Sequence, residues 1–204
     1  MPRIVLPGDK LADKPLRIDN ATLEDGKSYA TVPGLFDDEK ESFIPLESVW
    51  YPRMEDSVIG IVEDARNGVY TVALNSPFKG LIITRRDSNG PELEVGDVVE
   101  SIVRSVKRES DKIILILVRP RNLHEGKVIT VKPSKVLRII GKANTMIKLL
   151  TEGTKSNIVV GMNGIVWIKG GNVPLAVTAI NRIQAEAHVA GLTERITTML
   201  KESQ

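Results

Sequence analysis

The chain contains no cysteine. Disulfides and thiolate metal sites are therefore excluded, and a reducing compartment suits it. Aromatic residues are scarce, at 4% of 204 residues, so stacking on many bases cannot dominate any nucleic-acid binding. There are only two histidines, His124 and His188, and neither belongs to a spaced ligand set or to a Ser/His/Asp order. No P-loop and no Gly-x-Gly-x-x-Gly is present, and no carboxylate pair suits metal-assisted phosphodiester chemistry. No apolar run approaches the ~20 residues of a membrane-spanning helix, and the first residues, Met1 to Asp9, lack a secretory apolar segment. There is no internal repeat and no low-complexity tract. The expectation is an ordinary globular, cytoplasmic protein that needs no cofactor and no metal and does no chemistry of its own.

What is present is a charge gradient hidden under a net charge of +2. Residues 1–56 carry seven basic and twelve acidic side chains, residues 57–120 nine of each, and residues 121–204 twelve basic and five acidic. The positive end suits phosphates and the negative end suits protein. The plainer reading is that uneven charge only keeps the chain soluble.

Turn signals and periodicity divide the chain into three modules, residues 1–54, 55–121 and 122–204. The first is rich in turns (Pro7-Gly8-Asp9, Asp25-Gly26-Lys27, Pro33-Gly34) with brief strands at Ser28–Val32 and Phe43–Leu46. Its core would be small, so it should lean on a neighbour or a partner. Asp37–Glu41 reads as a solvated loop tip. The second module shows five strand-like segments: Val58–Val62, Val69–Leu74, Phe78–Thr84, Asp97–Val106 and Lys112–Val118. Asn67-Gly68 signals a hairpin, and Ser88–Pro91 marks a longer loop. Five strands in so short a stretch fit a small closed barrel of the oligonucleotide-binding type, although other small barrels share the pattern. The third module reads β-α-α-β-β-α plus one extra helix. Pro133 opens its first helix, and Gly161-Met-Asn-Gly164 joins its last two strands with an Asn-Gly pair that predicts a type I′ turn. Pro174 to about Val189 reads as one long amphipathic helix, with a break at Gly191.

The candidate binding residues centre on the turn between the first two helices of that last module. From Gly126 to Thr151 there are six Lys or Arg and no acid. Gly141-Lys142-Ala143-Asn144 is a Gly-x-x-Gly-like loop in this positive field, an arrangement with which one class of RNA-binding domain holds a single-strand backbone. Gly141 permits close approach of the backbone, and Asn144 can turn left-handed or cap the next helix. Lys135, Arg138 and Lys142, spaced i, i+3, i+7, are expected along one side, with Lys148 beyond. A helical hairpin with an ordinary basic surface is the competing reading. In the barrel, Lys79, Arg85, Arg86, Arg104, Lys107 and Arg108 are candidates for backbone contacts, though acids interleave them. Phe78 follows Pro77 at a strand start and is the candidate for an exposed stacking ring. Tyr70 shares strand parity with Val72 and Leu74 and is expected in the core.

Pro7-Gly-Asp9, Ser57-Val-Ile-Gly-Ile-Val62, Lys135-Val-Leu-Arg-Ile-Ile-Gly-Lys142, Gly161-Met-Asn-Gly-Ile-Val-Trp167 and Glu186-Ala-His-Val-Ala-Gly-Leu-Thr193 occur in this order. Together they resemble the RNA-binding cap subunits of the archaeal exosome, of the ribosomal-RNA-processing protein 4 type, over nearly the whole chain. The resemblance implies a multidomain β and α+β fold: a small N-terminal β domain, a five-stranded OB-fold barrel of the S1 type and a C-terminal KH domain. It implies a non-catalytic subunit that binds single-stranded RNA. Three copies, alone or mixed with other cap subunits, would sit on a hexameric ring of RNase PH-like proteins and feed 3′ ends into its phosphorolytic chamber. The N-terminal module, with Pro7, Gly8 and Asp9, would dock on the ring. Asn144 stands where the general KH loop has its second glycine, and the barrel lacks clear exposed aromatics. Weak RNA contacts spread over three copies are therefore expected. A free-standing RNA-binding transcription or translation factor is the alternative reading.

Overall fold

In a computed structural model, residues 3–16, 18, 20–46, 49–84, 92–109, 112–187, 189 and 191–202 are described. They form two compact units, Met1–Val49 and Trp50–Gln204. Unit one holds six short strands: β1 (Arg3–Val5), β2 (Lys10–Ala12), β3 (Ala21–Glu24), β4 (Lys27–Ala30), β5 (Gly34–Asp37) and β6 (Ser42–Pro45). They pair as two three-stranded sheets, β1-β5-β6 and β2-β4-β3. The β3–β4 hairpin turns on Asp25 and Gly26, both with positive φ, as an Asp-Gly pair allows. The unit's core is as small as its sequence implies: Val5, Leu11, Ala30 and Phe36 are buried, with Leu16, Ile18, Ala21 and Phe43 packed around them.

Unit two begins with a closed barrel. Its strands are β7 (Ser57–Arg66), β8 (Val69–Ala73), β9 (Lys79–Ile83), β10 (Val98–Glu109) and β11 (Lys112–Asn122), in the cyclic order β7-β8-β9-β11-β10 with β9 and β11 parallel. This is the OB-fold connectivity. All five expected strands are present. Asn67 and Gly68 both take positive φ and close the β7–β8 hairpin. Inward positions alternate along the strands: Val58, Val62, Tyr70, Val72, Ile82, Val99, Val103, Leu115 and Leu117 fill the interior, with Trp50 joining from before β7. Tyr70 therefore faces the core, as its parity predicts.

The rest of unit two has the KH arrangement: β12 (Lys127–Thr130), α1 (Pro133–Ile140), a 3₁₀ turn (Lys142–Asn144), α2 (Thr145–Thr154), β13 (Asn157–Val160), β14 (Ile165–Lys169), α3 (Val173–Ala185) and α4 (Leu192–Glu202). The sheet order is β12-β14-β13, all antiparallel. α3 stops at Ala185, short of the expected Val189, because the chain turns at Glu186. There Glu186 accepts bonds from Arg182 of α3 at 2.9 Å and from Arg195 of α4 at 2.7 Å. His188 lies outside the described residues.

Both faces of the KH sheet are covered, and strand alternation shows how. Ile158, Val166 and Ile168 point to the helices, among Val136, Ile139, Leu150, Ile180, Ile183 and Ile196. Ile165 and Trp167 point the other way and pack with Ile59 of the barrel and Leu123 of the connection. A strand buried on both faces reads as a continuous apolar run, and Ile165-Val-Trp-Ile168 is one. The β13–β14 turn fixes the two parts together. Met162 N–H donates to Ser57 O at 2.8 Å. Asn163 is fully buried; its Nδ2 donates to Ile59 O (2.7 Å) and Leu74 O (2.8 Å), and its Oδ1 accepts from Ile59 N–H (3.2 Å).

That role overturns the expected type I′ turn. Gly164 N–H bonds Gly161 O at 3.0 Å across Met162 and Asn163, and of the four residues only Gly164 has positive φ. The turn is type I followed by a left-handed glycine. Asn163 is withheld from the left-handed region because its side chain must reach inward to the barrel. Gly161 is required by space: a Cβ there would lie 2.8 Å from Ile59 N and 2.4 Å from Asn163 Oδ1.

Candidate nucleic-acid interface

Helix α1 starts at Pro133, whose missing N–H costs nothing at a helix start. Val136 and Ile139 are buried while Leu137 and Arg138 face outward. The helix ends where Gly141 enters the positive-φ region (φ 76°), its N–H bonded to Leu137 O at 2.9 Å. A side chain at Gly141 would also meet the start of α2, with a Cβ only 2.6 Å from Met146 N. Ala143 (φ 51°) and Asn144 (φ 63°) are both left-handed. Ala143 tolerates this at a cost of roughly 1–2 kcal/mol, whereas Asn144 is suited to it. The Asn144 side chain makes no capping bond to α2, so of its two expected roles it takes the conformational one.

The helix break corrects one expectation. Lys135, Arg138 and Lys142 do not continue one helical row, because the backbone reverses at Gly141 before Lys142 is reached. Lys142 instead sits at the tip of the turn, exposed with Ala143 and Asn144. Arg138 and Lys148 are exposed on the flanking helices and Lys135 is half-buried. None of these four cations has a carboxylate partner among the described residues. Three other cations of the KH part are paired: Lys169 with Glu125, Arg182 and Arg195 with Glu186. Four cations free of carboxylate partners among the described residues thus lie on and beside the Gly141–Asn144 loop, where they can meet phosphate.

In the barrel the candidates diverge. Lys79 is ion-paired with Glu63. Arg104 and Lys107 are exposed on β10 without a carboxylate partner among the described residues. Arg104 is the extra residue of a bulge, between the pairs Val103↔Leu117 and Ser105↔Ile116, and bulges often re-aim a side chain. Arg85 and Arg86 lie outside the described residues, as do the side chain of Arg108 and the Ser88–Asn89–Gly90–Pro91 loop. Phe78 is half-buried rather than exposed, because its ring packs edge-on to Trp50 and Tyr51 and against the barrel core. Three residues are missed by sequence reasoning. Arg119 is exposed in a second bulge, left-handed (φ 53°) before Pro120, which has no N–H for the ladder. Tyr51 is 52% exposed on the lead-in to β7. Asn163 looks like a turn residue and acts as an internal one; the only signal was an amide side chain beside two glycines.

Unit one presents a different surface. Ile4, Leu35 and Ile44 are directly opposite one another across β1, β5 and β6, with Ile4 and Ile44 exposed and Leu35 half-buried. The Pro7-Gly8-Asp9 turn beside it is bonded inward: the Asp9 carboxylate accepts from Leu6 N–H at 2.8 Å, and Gly8 N–H donates to Ala30 O at 2.8 Å.

Residues 126–174 match the KH domain family. Over 97% of its length the chain is 32% identical to the exosome complex component Rrp4 of Pyrococcus furiosus, covering 82% of that protein. Over 95% it is 35% identical to that of Picrophilus torridus, covering 90%. The chain belongs to the exosome component Rrp4 family. A crystal structure described as that of a candidate exosome complex RNA-binding protein superimposes with a TM-score of 0.64 at 27% identity, over 76% of this chain and 97% of the other. The motifs that carry the Rrp4 resemblance map onto joints of the fold. Pro7–Asp9 ties β1 to β4, Ser57–Val62 lies in the barrel strand that receives Asn163, Gly161–Trp167 docks on it, and Glu186, which opens the last motif, holds α3 to α4.

Proposed function

We propose that this chain is a non-catalytic, RNA-binding cap subunit of an exosome. In this reading it binds single-stranded RNA and guides 3′ ends into a hexameric, phosphorolytic ring of RNase PH-like subunits. Three copies, alone or mixed with other cap subunits, act on one ring in the cytoplasm. The observation that carries the reading is the likeness to Rrp4 components over nearly the full length of the chain.

Two features of the molecule support it. The unpaired cations around Gly141–Asn144 suit a phosphate backbone, with Arg104 and Lys107 adding charge on the barrel. Unit one, with its apolar row Ile4–Leu35–Ile44 and acidic excess, suits a protein contact, so the N-terminal module (1–54) takes the ring and the other two (55–121, 122–204) take RNA. Mixing the purified chain with the purified ring tests this: a co-eluting complex whose RNA affinity falls steeply with salt is expected. Separate elution would remove the capping role, and salt-insensitive binding the phosphate role.

A further inference from the structure

Of the eight aromatic residues in the chain, one ring is exposed, that of Tyr51. It is also held. Phe78 meets it edge-on, with centroids 6.1 Å apart and planes at 71°, and Trp50 meets Phe78 in turn at 6.5 Å and 73°. Trp50 is buried in the barrel core and donates Nε1–H to Asp56 Oδ2 at 3.0 Å. The same carboxylate oxygen accepts Arg53 N–H at 3.0 Å, which closes the segment 50–56 into a turn. Glu55 N–H then bonds Val103 O at 2.8 Å and Val103 N–H bonds Asp56 O at 2.9 Å. The segment is therefore laced to β10 one residue before the bulged, unpaired Arg104.

An exposed tyrosine fixed by an aromatic brace and a hydrogen-bonded turn loses little entropy when a flat partner settles on it. The exposed cation Arg104 follows Val103, the residue to which the end of this segment is bonded. A π-face beside a phosphate-binding group is the chemistry that holds single-stranded nucleic acid without sequence preference. We propose that Tyr51, braced by Phe78, is a nucleobase-stacking platform for RNA at the lead-in end of the barrel, with Arg104 taking a neighbouring phosphate. The outward residues of β8 and β9, Val69, Thr71, Ala73, Lys79, Leu81 and Ile83, include no aromatic ring.

This inference rests on the RNA-binding reading, and the experiment separates the two. Binding of a fluorescent single-stranded RNA, and of the same strand with abasic positions, is measured by anisotropy across salt concentrations. The proteins are the full chain, Tyr51→Ala, Tyr51→Leu and Tyr51→Phe. Tyr51→Ala and Tyr51→Leu should weaken binding of the intact strand by roughly tenfold, as expected for one stacked base. Tyr51→Phe should bind like the parent, the salt slope should stay the same, and the abasic strand should not distinguish the variants. A folded Tyr51→Leu protein with parental affinity, an equal loss on abasic RNA, or loss of ring co-elution with RNA affinity unchanged would each overturn the platform. Failure of the parent to bind RNA at all would overturn the RNA-binding reading and the platform with it.

Discussion

Asn163 joins the two halves of unit two through three hydrogen bonds to backbone groups of Ile59 and Leu74. Replacing it with alanine strands buried polar groups, and each costs about 1–3 kcal/mol when left unpaired. Asn163→Ala should therefore lower stability by roughly 3 kcal/mol, read as a drop in the denaturation midpoint. Asn163→Asp should be worse, since a carboxylate oxygen would face the carbonyls of Ile59 and Leu74; a neutral effect of either change would contradict the joint. Lys142 and Arg138 are exposed at and beside the Gly141–Asn144 turn. Lys142→Glu with Arg138→Glu should weaken RNA binding and flatten its salt dependence while ring assembly persists, because both side chains are exposed and hold no carboxylate. Unchanged affinity at low salt would remove the loop from the interface.

At the level of elements, α4 is held to α3 by Glu186, whose carboxyl lies below its ordinary value because Arg182, and then Arg195, hydrogen-bond its ionised form. A depressed carboxylate contributes stability above its unfolded pKa and loses that contribution as pH falls through the lower folded pKa. The α4 amides of the parent should thus gain hydrogen-exchange rate as pH drops below the ordinary glutamate range of about 4.3, after correction for intrinsic exchange. Glu186→Gln should already exchange faster at neutral pH and lack the added acid step. In unit one, Ile44→Asp should disturb ring co-elution more than RNA affinity, since Ile44 lies in the exposed apolar row with Ile4 and Leu35. The five barrel strands, the helices of the KH part and the Gly141 turn were legible in the sequence because period-2 and period-3.6 patterns and Gly or Asn-Gly signals are local, whereas four of the six short strands of unit one (β1, β2, β3 and β5) were too brief to show a period. What was not legible came from tertiary demands: the inward reach of Asn163 that changed its turn type, the aromatic packing that half-buries Phe78, and the exposure of Tyr51 on a segment without periodicity. The Gly141 break defeated the i, i+3, i+7 row because spacing assumes a continuous helix.

For the whole molecule, the charge gradient follows the fold. The acidic unit with a small core carries an apolar face, and the barrel and KH parts are locked together with unpaired cations on their surfaces. Locking matters for a cap, because RNA surfaces fixed relative to each other present one path rather than two loosely linked ones. Several modest contacts then add through effective concentration, which suits a KH loop with Asn144 in place of a second glycine. The most direct measurement is RNA decay by the purified hexameric ring with and without this chain, at one salt concentration and limiting RNA. The chain alone should leave RNA intact, co-elute with the ring and accelerate shortening from the 3′ end, an acceleration lost with Lys142→Glu and Arg138→Glu. Shortening by the chain alone, or a ring whose activity and elution are unaffected by it, would rule out a non-catalytic cap.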